Sequence, residues 1–394
     1  MRTTTGTRLL CAVGLAVGAL AVGAPAAAAP PGQDLPPGLA KQDSLAWLAP
    51  EGLEIGGAVA GGGHHLDQDY PPPFSEDEAY RDLLASEFTS LTPENQMKWD
   101  YIHPEPDVYD FEAADDIVAF AEENGQDVRG HTLVWHSQNP AWLEEGDYTA
   151  AELREILREH ITTVVGRYAG QIDQWEVANE IFDDSGNLRT EENIWIRELG
   201  PGIIADAFRW AHEADPEAEL FLNDYNVEGL NAKADAYYAL VQDLLADGVP
   251  IHGMGMQAHL GTMYGYDTSL PQNIERFGDL GLTTAITELD VRMELPADGA
   301  PTPEQVAEQN EFYEFVLTSC LEAPSCESFT LWGASDLYSW VPHTFEGQGS
   351  ATPWTEDLER KPAYCTLQQT LGQAQPGNRY AHHPAYAQCR DMLG

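Results

Sequence analysis

Lysine is the scarcest charged residue in the chain, with four copies at Lys41, Lys98, Lys233 and Lys361. With arginine included, 19 basic side chains face 65 acidic ones, a formal charge of −46. A surface so poor in cations repels phosphates, which argues against binding nucleic acid or an anionic membrane. Long apolar runs are also lacking. Leu9 to Val22 is too short to span a bilayer comfortably, and no later run approaches that length. No Cys-x-x-Cys pair occurs, which weighs against a zinc site. No long Ser/Thr/Pro linker and no repeated module interrupts the chain.

What is present begins with Arg2 and Arg8, an apolar stretch, and small residues at Ala26 to Ala29. Residues 1–29 therefore read as a secretory signal peptide. Leu10 before Cys11 does not fit a lipoprotein cleavage site. Without this segment 17 basic and 65 acidic side chains remain, a formal charge of −48. Residues 30–44 read as a short Pro/Gly-rich flexible leader. Four cysteines then remain, Cys320, Cys326, Cys365 and Cys389. In an exported chain they suggest two disulfides, with three connectivities open. Cys320 and Cys326 close a small loop and are paired on that ground. Cys365 with Cys389 follows by elimination.

From residue 53 onward short apolar runs alternate with longer amphipathic ones. The spacing predicts strands at 53–60, 88–92, 128–135, 172–177, 220–223, 253–257, 284–288 and 328–332. Helical patterns lie between them. One is expected to begin after Ser75, with Glu76, Asp77 and Glu78 in its first turn. Another covers 149–168 with Leu153, Leu157, His160, Ile161 and Val164 on one stripe. The pattern near 271–279 is the weakest. Eight strands alternating with eight helices predict an α/β fold, a (β/α)8 TIM barrel forming a single domain over 45–372, with 373–394 as a tail. An open doubly wound sheet would show a Gly-rich phosphate loop after the first strand. Gly61-Gly62-Gly63 is followed instead by His64-His65, with no helix start.

Function in such a barrel gathers at the C-terminal ends of the strands. Trp175-Glu176-Val177-Ala178-Asn179-Glu180 reads as a buried strand ending in an amide and a carboxyl. Ala285-Ile286-Thr287-Glu288-Leu289-Asp290 has the same design. Two glutamates brought to one mouth are what glycoside hydrolysis needs. The other strand ends supply Glu94, Asn95 and Lys98, then His131, Trp135 and Gln138, then Tyr225, then Gln257 and His259, and last Trp332 with Trp340 in the following loop. Sugars present hydroxyls at their edges and C–H faces to aromatic rings, and this collection suits both. Singly, each has a bland explanation. Trp99 and Trp175 suit a core, and His131 and His259 suit buried, satisfied histidines.

These runs resemble glycoside hydrolase family 10, the endo-β-1,4-xylanases and their relatives. The matching segments are Thr92 to Trp99, Arg129 to Gln138, Trp175 to Glu180, Asn223 to Asn226, Gly255 to Leu260, Thr287 to Asp290, Trp332 to Trp340 and Lys361 to Tyr364. They fall in the family's order across roughly residues 45 to 372. The resemblance implies a retaining xylanase with Glu180 as acid/base and Glu288 as nucleophile, the pair standing ~5–5.5 Å apart. It implies that His259 bonds Glu288 and that Asn179 grips the 2-hydroxyl of the reacting sugar. Glu94, Asn95, Lys98, His131, Trp135, Gln138, Gln257, Trp332 and Trp340 would line the glycone side, and Tyr225 the aglycone side. The substrate is xylan or xylo-oligosaccharide, no cofactor or metal is needed, and a secreted, extracellular monomer is expected. The Cys320–Cys326 segment also resembles a disulfide loop of secreted members. Three departures stand out: a long first loop over 61–74, no Arg directly after Trp340, and the tail.

Three rival readings share these residues. A β-1,4-glucanase would need room for the hydroxymethyl arm of glucose, which Glu94, Lys98 and Trp340 crowd. An inactive polysaccharide-binding barrel would not need both glutamates and His259. A metal-dependent hydrolase built on His64, His65, His131 and His136 lacks HxxxH-type spacing on one helix.

Overall fold

The computed structural model describes residues 37–62, 73–375, 379–381 and 383–394. The signal peptide, the first part of the leader and most of the first loop, 63–72, lie outside the described residues. Eight parallel strands form the barrel: β1 Glu54–Val59, β2 Ser90–Pro93, β3 Asp127–Gly130, β4 Gln174–Asn179, β5 Glu219–Asp224, β6 Gly253–Met256, β7 Thr283–Glu294 and β8 Cys326–Leu331. Neighbours pair in chain order, from Gly56 beside Ser90 to Met256 beside Ile286. β8 pairs with β7 on one side and with β1 on the other, which closes the ring. Closure removes every free edge, and the strands read as nearly continuous buried runs, as parallel strands with both faces covered must.

Each strand is followed by a helix that packs outside it: α1 Glu78–Glu87, α2 Glu112–Asn124, α3 Ala150–Arg167, α4 Ile203–Ala214, α5 Ala232–Ala246, α6 Leu270–Asp279, α7 Pro303–Glu322 and α8 Pro362–Ala374. Local chemistry explains several starts. Thr149 and Glu152 form a capping box on α3, and Thr302 with Gln305 forms one on α7, where Pro303 stands at the first helical position. The start expected at Ser75 belongs to a separate turn, Pro73–Glu76. Asp77 is the cap of α1, its carboxylate accepting the Tyr80 N–H at 3.0 Å.

Two expected strand ends move. The run expected over 128–135 leaves β3 at Gly130, after which the Leu133 and Val134 N–H groups bond to carbonyls of β4. β7 runs past Glu288 to Glu294, because its far end pairs with two short strands, His259–Gly261 and Gln348–Gly349. The leader also differs from expectation. In its described part Lys41 bonds Glu87 at 2.5 Å, and Arg360 bonds Asp43 at 2.8 Å. Gln368 of α8 donates to the Asp43 carbonyl at 2.7 Å, so 41–44 is tied to the barrel rather than loose. The disulfides join Cys320 to Cys326 and Cys365 to Cys389. The second holds a terminal helix, Ala387–Leu393, against α8.

Candidate active site

β4 ends at Asn179, and Glu180 takes a left-handed backbone with φ of 52°. A β-carbon is strained there, so the surroundings must hold it. Three successive N–H groups do so. Asn179 donates to the Val134 carbonyl at 2.9 Å, Glu180 to the Asn223 carbonyl at 2.9 Å, and Ile181 to the Tyr237 hydroxyl at 3.1 Å. Tyr237 donates in turn to Asp224 at 2.5 Å, and Lys233 lies 2.8 Å from the other oxygen of that carboxylate. This buried chain fixes where the Glu180 side chain leaves the backbone. His136 Nδ1 stands 3.9 Å from the Glu180 carboxylate. Burial lowers the His136 pKa against the pull of Glu180.

Glu288 stands in the middle of β7 and is 3% exposed. Asn223 Nδ2 donates to one carboxylate oxygen at 2.7 Å, and His259 Nε2 lies 3.2 Å from the other. His259 Nδ1 lies 3.0 Å from Asp290, which also accepts the Trp340 indole N–H at 2.7 Å. Burial alone would lower the His259 pKa, but the Asp290 and Glu288 carboxylates raise it to about 10. The ring is an imidazolium at neutral pH. Burial pushes the Glu288 pKa up, yet the hydrogen bond from His259 and the nearby positive charge hold it below the ordinary value.

Amides join the two carboxylates. Asn223 Oδ1 accepts the Thr287 hydroxyl at 2.7 Å, which orients its NH2 group. That group faces Glu176 at 3.0 Å, Asn179 Oδ1 at 3.0 Å and Glu288 at 2.7 Å, so two protons serve three oxygens. Gln257 Nε2 reaches Asn179 Oδ1 at 3.1 Å and Glu180 at 3.2 Å. Beneath them His131 Nδ1 lies 2.6 Å from the buried Glu176 carboxylate. At one end of the cleft Lys98 donates to Asn95 at 3.0 Å and to Gln138 at 2.9 Å, with its ammonium 4.9 Å from the Trp135 ring centre. Burial raises the Glu94 pKa to about 8 against the pull of Lys98. A carboxyl shifted in this direction holds its proton more readily, and in that form it donates to a hydroxyl.

All fourteen candidates from the sequence line one cleft of about 510 Å³: Glu94, Asn95, Lys98, His131, Trp135, Gln138, Asn179, Glu180, Tyr225, Gln257, His259, Glu288, Trp332 and Trp340. Tyr225 is braced by Arg189 at 2.6 Å from its hydroxyl and by the Lys233 ammonium 3.5 Å from its ring centre. Trp99 and Trp175 are core, 2% and 0% exposed. Sequence reasoning gave no role to Glu176, which supports the floor, or to Arg292, which forms part of the wall with Phe345 of the loop after Trp340, and it placed Asn223 and Asp290 at strand ends without a specific role. Arg292 continues the every-second-residue alternation of Glu288 and Asp290. The rim after Trp340 carries no arginine of its own, and Arg292 enters from the neighbouring strand, 4.1 Å from the Phe345 ring centre.

Among the described residues one group has ligand atoms close enough to hold a metal, His131, Glu176 and Glu288, all within 4.8 Å of one another. His131 and Glu176 already bond each other, and Glu288 is held by His259 and Asn223. The arrangement suits proton transfer and nucleophilic attack by carboxylates.

Known proteins resemble this chain over most of its length. The model of glycosyl hydrolase family 10 matches residues 52–370. The chain is 42% identical over 294 residues to endo-1,4-beta-xylanase B of Thermotoga neapolitana, covering 75% of this chain and 84% of that one. It is 41% identical over 290 residues to endo-1,4-beta-xylanase C of Phanerodontia chrysosporium, with 73% and 71% covered. Among solved structures it is similar to native xylanase 10B from Thermotoga maritima, at 41% identity and a TM-score of 0.77 over 83% of this chain and 98% of that one. It is also similar to xylanase 10B from Thermotoga petrophila RKU-1 in complex with xylobiose, at 39% identity and a TM-score of 0.76 over 86% and 97%.

Proposed function

The chain belongs to glycosyl hydrolase family 10, and from that premise we propose that it is an endo-β-1,4-xylanase working by double displacement, with Glu288 as nucleophile and Glu180 as acid/base. The observation that carries this reading is the shared amide bridge. Glu180 and Glu288 leave different strands, yet Asn179, Asn223 and Gln257 join them in one cleft. Their surroundings suit different roles. Glu288 is held ionised by His259, as a nucleophile requires. In the first step a Glu288 oxygen forms a bond to the anomeric carbon while the bond to the leaving sugar oxygen breaks, and Glu180 gives that oxygen its proton. In the second step Glu180, now a carboxylate, takes a proton from water. The hydroxide so formed displaces Glu288 with a second inversion, so the configuration is retained. Asn179 grips the sugar 2-hydroxyl, a contact that tightens as positive charge develops on the ring. Glu94, Asn95, Lys98 and Gln138 supply donors and acceptors for the glycone hydroxyls, with Trp135, Trp332 and Trp340 as walls. Tyr225 takes the aglycone side. Crowding by Glu94, Lys98 and Trp340 favours xylose over glucose.

Export through the 1–29 segment and action as a free monomer belong to the same proposal. The two disulfides support export. No helix among the described residues is long and apolar enough to cross a membrane.

The test is the Glu288→Ala variant with xylan and azide. It should lose turnover and recover part of it as a glycosyl azide of inverted configuration, while wild-type product followed by NMR retains configuration. Inversion in the wild-type product would end the double-displacement assignment. Faster hydrolysis of carboxymethyl cellulose than of xylan would favour a glucanase.

A further inference from the structure

Glu288, Asp290 and Arg292 share one face of β7, and the last of them has no part in the chemistry above. Arg292 lines the cleft and is 9% exposed. Its Nε donates to Gln348 at 2.9 Å, and its Nη1 donates to the carbonyls of His259 at 3.2 Å and Leu260 at 3.3 Å. Its guanidinium lies 4.1 Å from the Phe345 ring centre and 5.8 Å from that of Tyr264. Nη2 makes no hydrogen bond among the described residues, and no carboxylate of theirs reaches ion-pair distance. Other cations of the chain are paired. Lys41, Arg154, Arg167, Arg276, Arg360 and Lys361 each sit on a carboxylate.

We propose that Arg292 is a specificity-determining residue that receives the carboxylate of a uronic acid branch on the xylan backbone. This rests on the xylanase reading. A guanidinium held at three points and stacked on an aromatic ring loses little freedom on binding, and it is weakly hydrated. No described residue supplies its counter-ion, and a carboxylate is its natural partner. The rest of the molecule works the other way. A chain with a formal charge of −46 repels an acidic polysaccharide, so such a substrate needs a local cation in the cleft. The rival explanation is that Arg292 only pins the His259 and Leu260 carbonyls. Such a pin is indifferent to charge on the substrate, and this difference is what the test reads.

The substrates are a glucuronoxylan, the same polymer after chemical reduction of its carboxyl groups to alcohols, and unsubstituted xylohexaose. The readout is the ratio of kcat/KM on native and reduced polymer at low ionic strength. For the wild type the ratio should exceed one by about fivefold, the scale of one partly screened charge-assisted contact, and decline toward one in about 1 M sodium chloride. In Arg292→Gln it should fall below one, because only the repulsive field remains. Arg292→Lys should lie between. Damage to folding lowers both rates of a variant together and leaves its ratio alone. A wild-type ratio of one or less, or a ratio unchanged in Arg292→Gln, overturns the proposal while xylohexaose is still cleaved. Failure of the wild type to cleave xylohexaose overturns the xylanase reading and this proposal with it.

Discussion

At the scale of single residues the site depends on a few buried charges whose states are set by their neighbours. His259 stands between Glu288 and Asp290, and its charge keeps Glu288 ionised. Replacing it with glutamine removes a cation from between two buried carboxylates. The Glu288 pKa then rises, and so does the lowest pH at which the nucleophile is ready. His259→Gln should therefore move the acid limb of the kcat/KM profile to higher pH and lower the plateau. An acid limb that stays in place would show that His259 does not set the nucleophile's ionisation. The same residue links the site to stability. Its folded pKa of about 10 lies above the ordinary histidine value. Its contribution is therefore complete below about pH 6.5 and is lost as pH rises toward 10.

At the scale of elements, the strands place chemistry at one end of the barrel and a different feature at the other. Glu54, at the start of β1, feels the charges of Asp127 at the start of β3, Asp173 just before β4 and Glu219 at the start of β5, with Arg129 as the opposing cation. Burial, and then these carboxylates against the pull of Arg129, raises its pKa to about 7. An acid whose folded pKa lies above its unfolded value stabilises the fold below pH 4.5, and that contribution is lost between pH 4.5 and about 7. The loss is about 3 kcal/mol, since a tenfold change in proton affinity corresponds to about 1.36 kcal/mol. Glu54→Gln carries no charge to bury. Its stability relative to wild type, read from urea melts, should rise by this amount between about pH 4.5 and about pH 8. A constant difference across that range would mean that Glu54 ionises freely at the barrel floor. The cleft end is too far along the strands to be affected, so activity at the optimum should follow stability alone.

At the scale of the whole molecule the acidic surface dominates. Glu122, Glu123, Glu144, Glu145, Glu191 and Glu192 are all exposed, while most cations are already committed to ion pairs. Like charges at this density push the compact state apart at low ionic strength. Salt shortens the screening length from about 30 Å at 0.01 M to about 3 Å at 1 M, which relieves the repulsion. The Tm should climb with sodium chloride up to about 3 M, and xylan hydrolysis should persist there. A Tm flat in salt, with activity falling steadily, would sink the idea of a salt-tolerant enzyme. Its acidity would then serve solubility alone.

Much of this was legible in the residues themselves. The alternation of short apolar runs with amphipathic stretches specifies strand-helix units, because period 2 and period 3.6 patterns cannot exchange places. Eight such units in series specify the barrel, and barrel geometry sends Glu180 and Glu288 to the same mouth. The small loop between Cys320 and Cys326 is local, so their pairing could be read from spacing. What lies opposite what could not be read. Glu176 and Glu180 are carboxylates on one short segment. Only the pairing of β3 with β4 sets Glu176 against His131 beneath the floor, while the left-handed turn after Asn179 aims Glu180 into the cleft. The bond from Asp43 to Arg360 joins residues 317 positions apart, and the bond from Trp340 to Asp290 joins residues 50 apart. No periodicity records such contacts. Sequence pattern reports which face of an element is buried, a property of near neighbours. The partner on the other side of the burial, and with it each side chain's charge state, is set by tertiary packing, because solvation and Coulomb forces act through space and not along the chain.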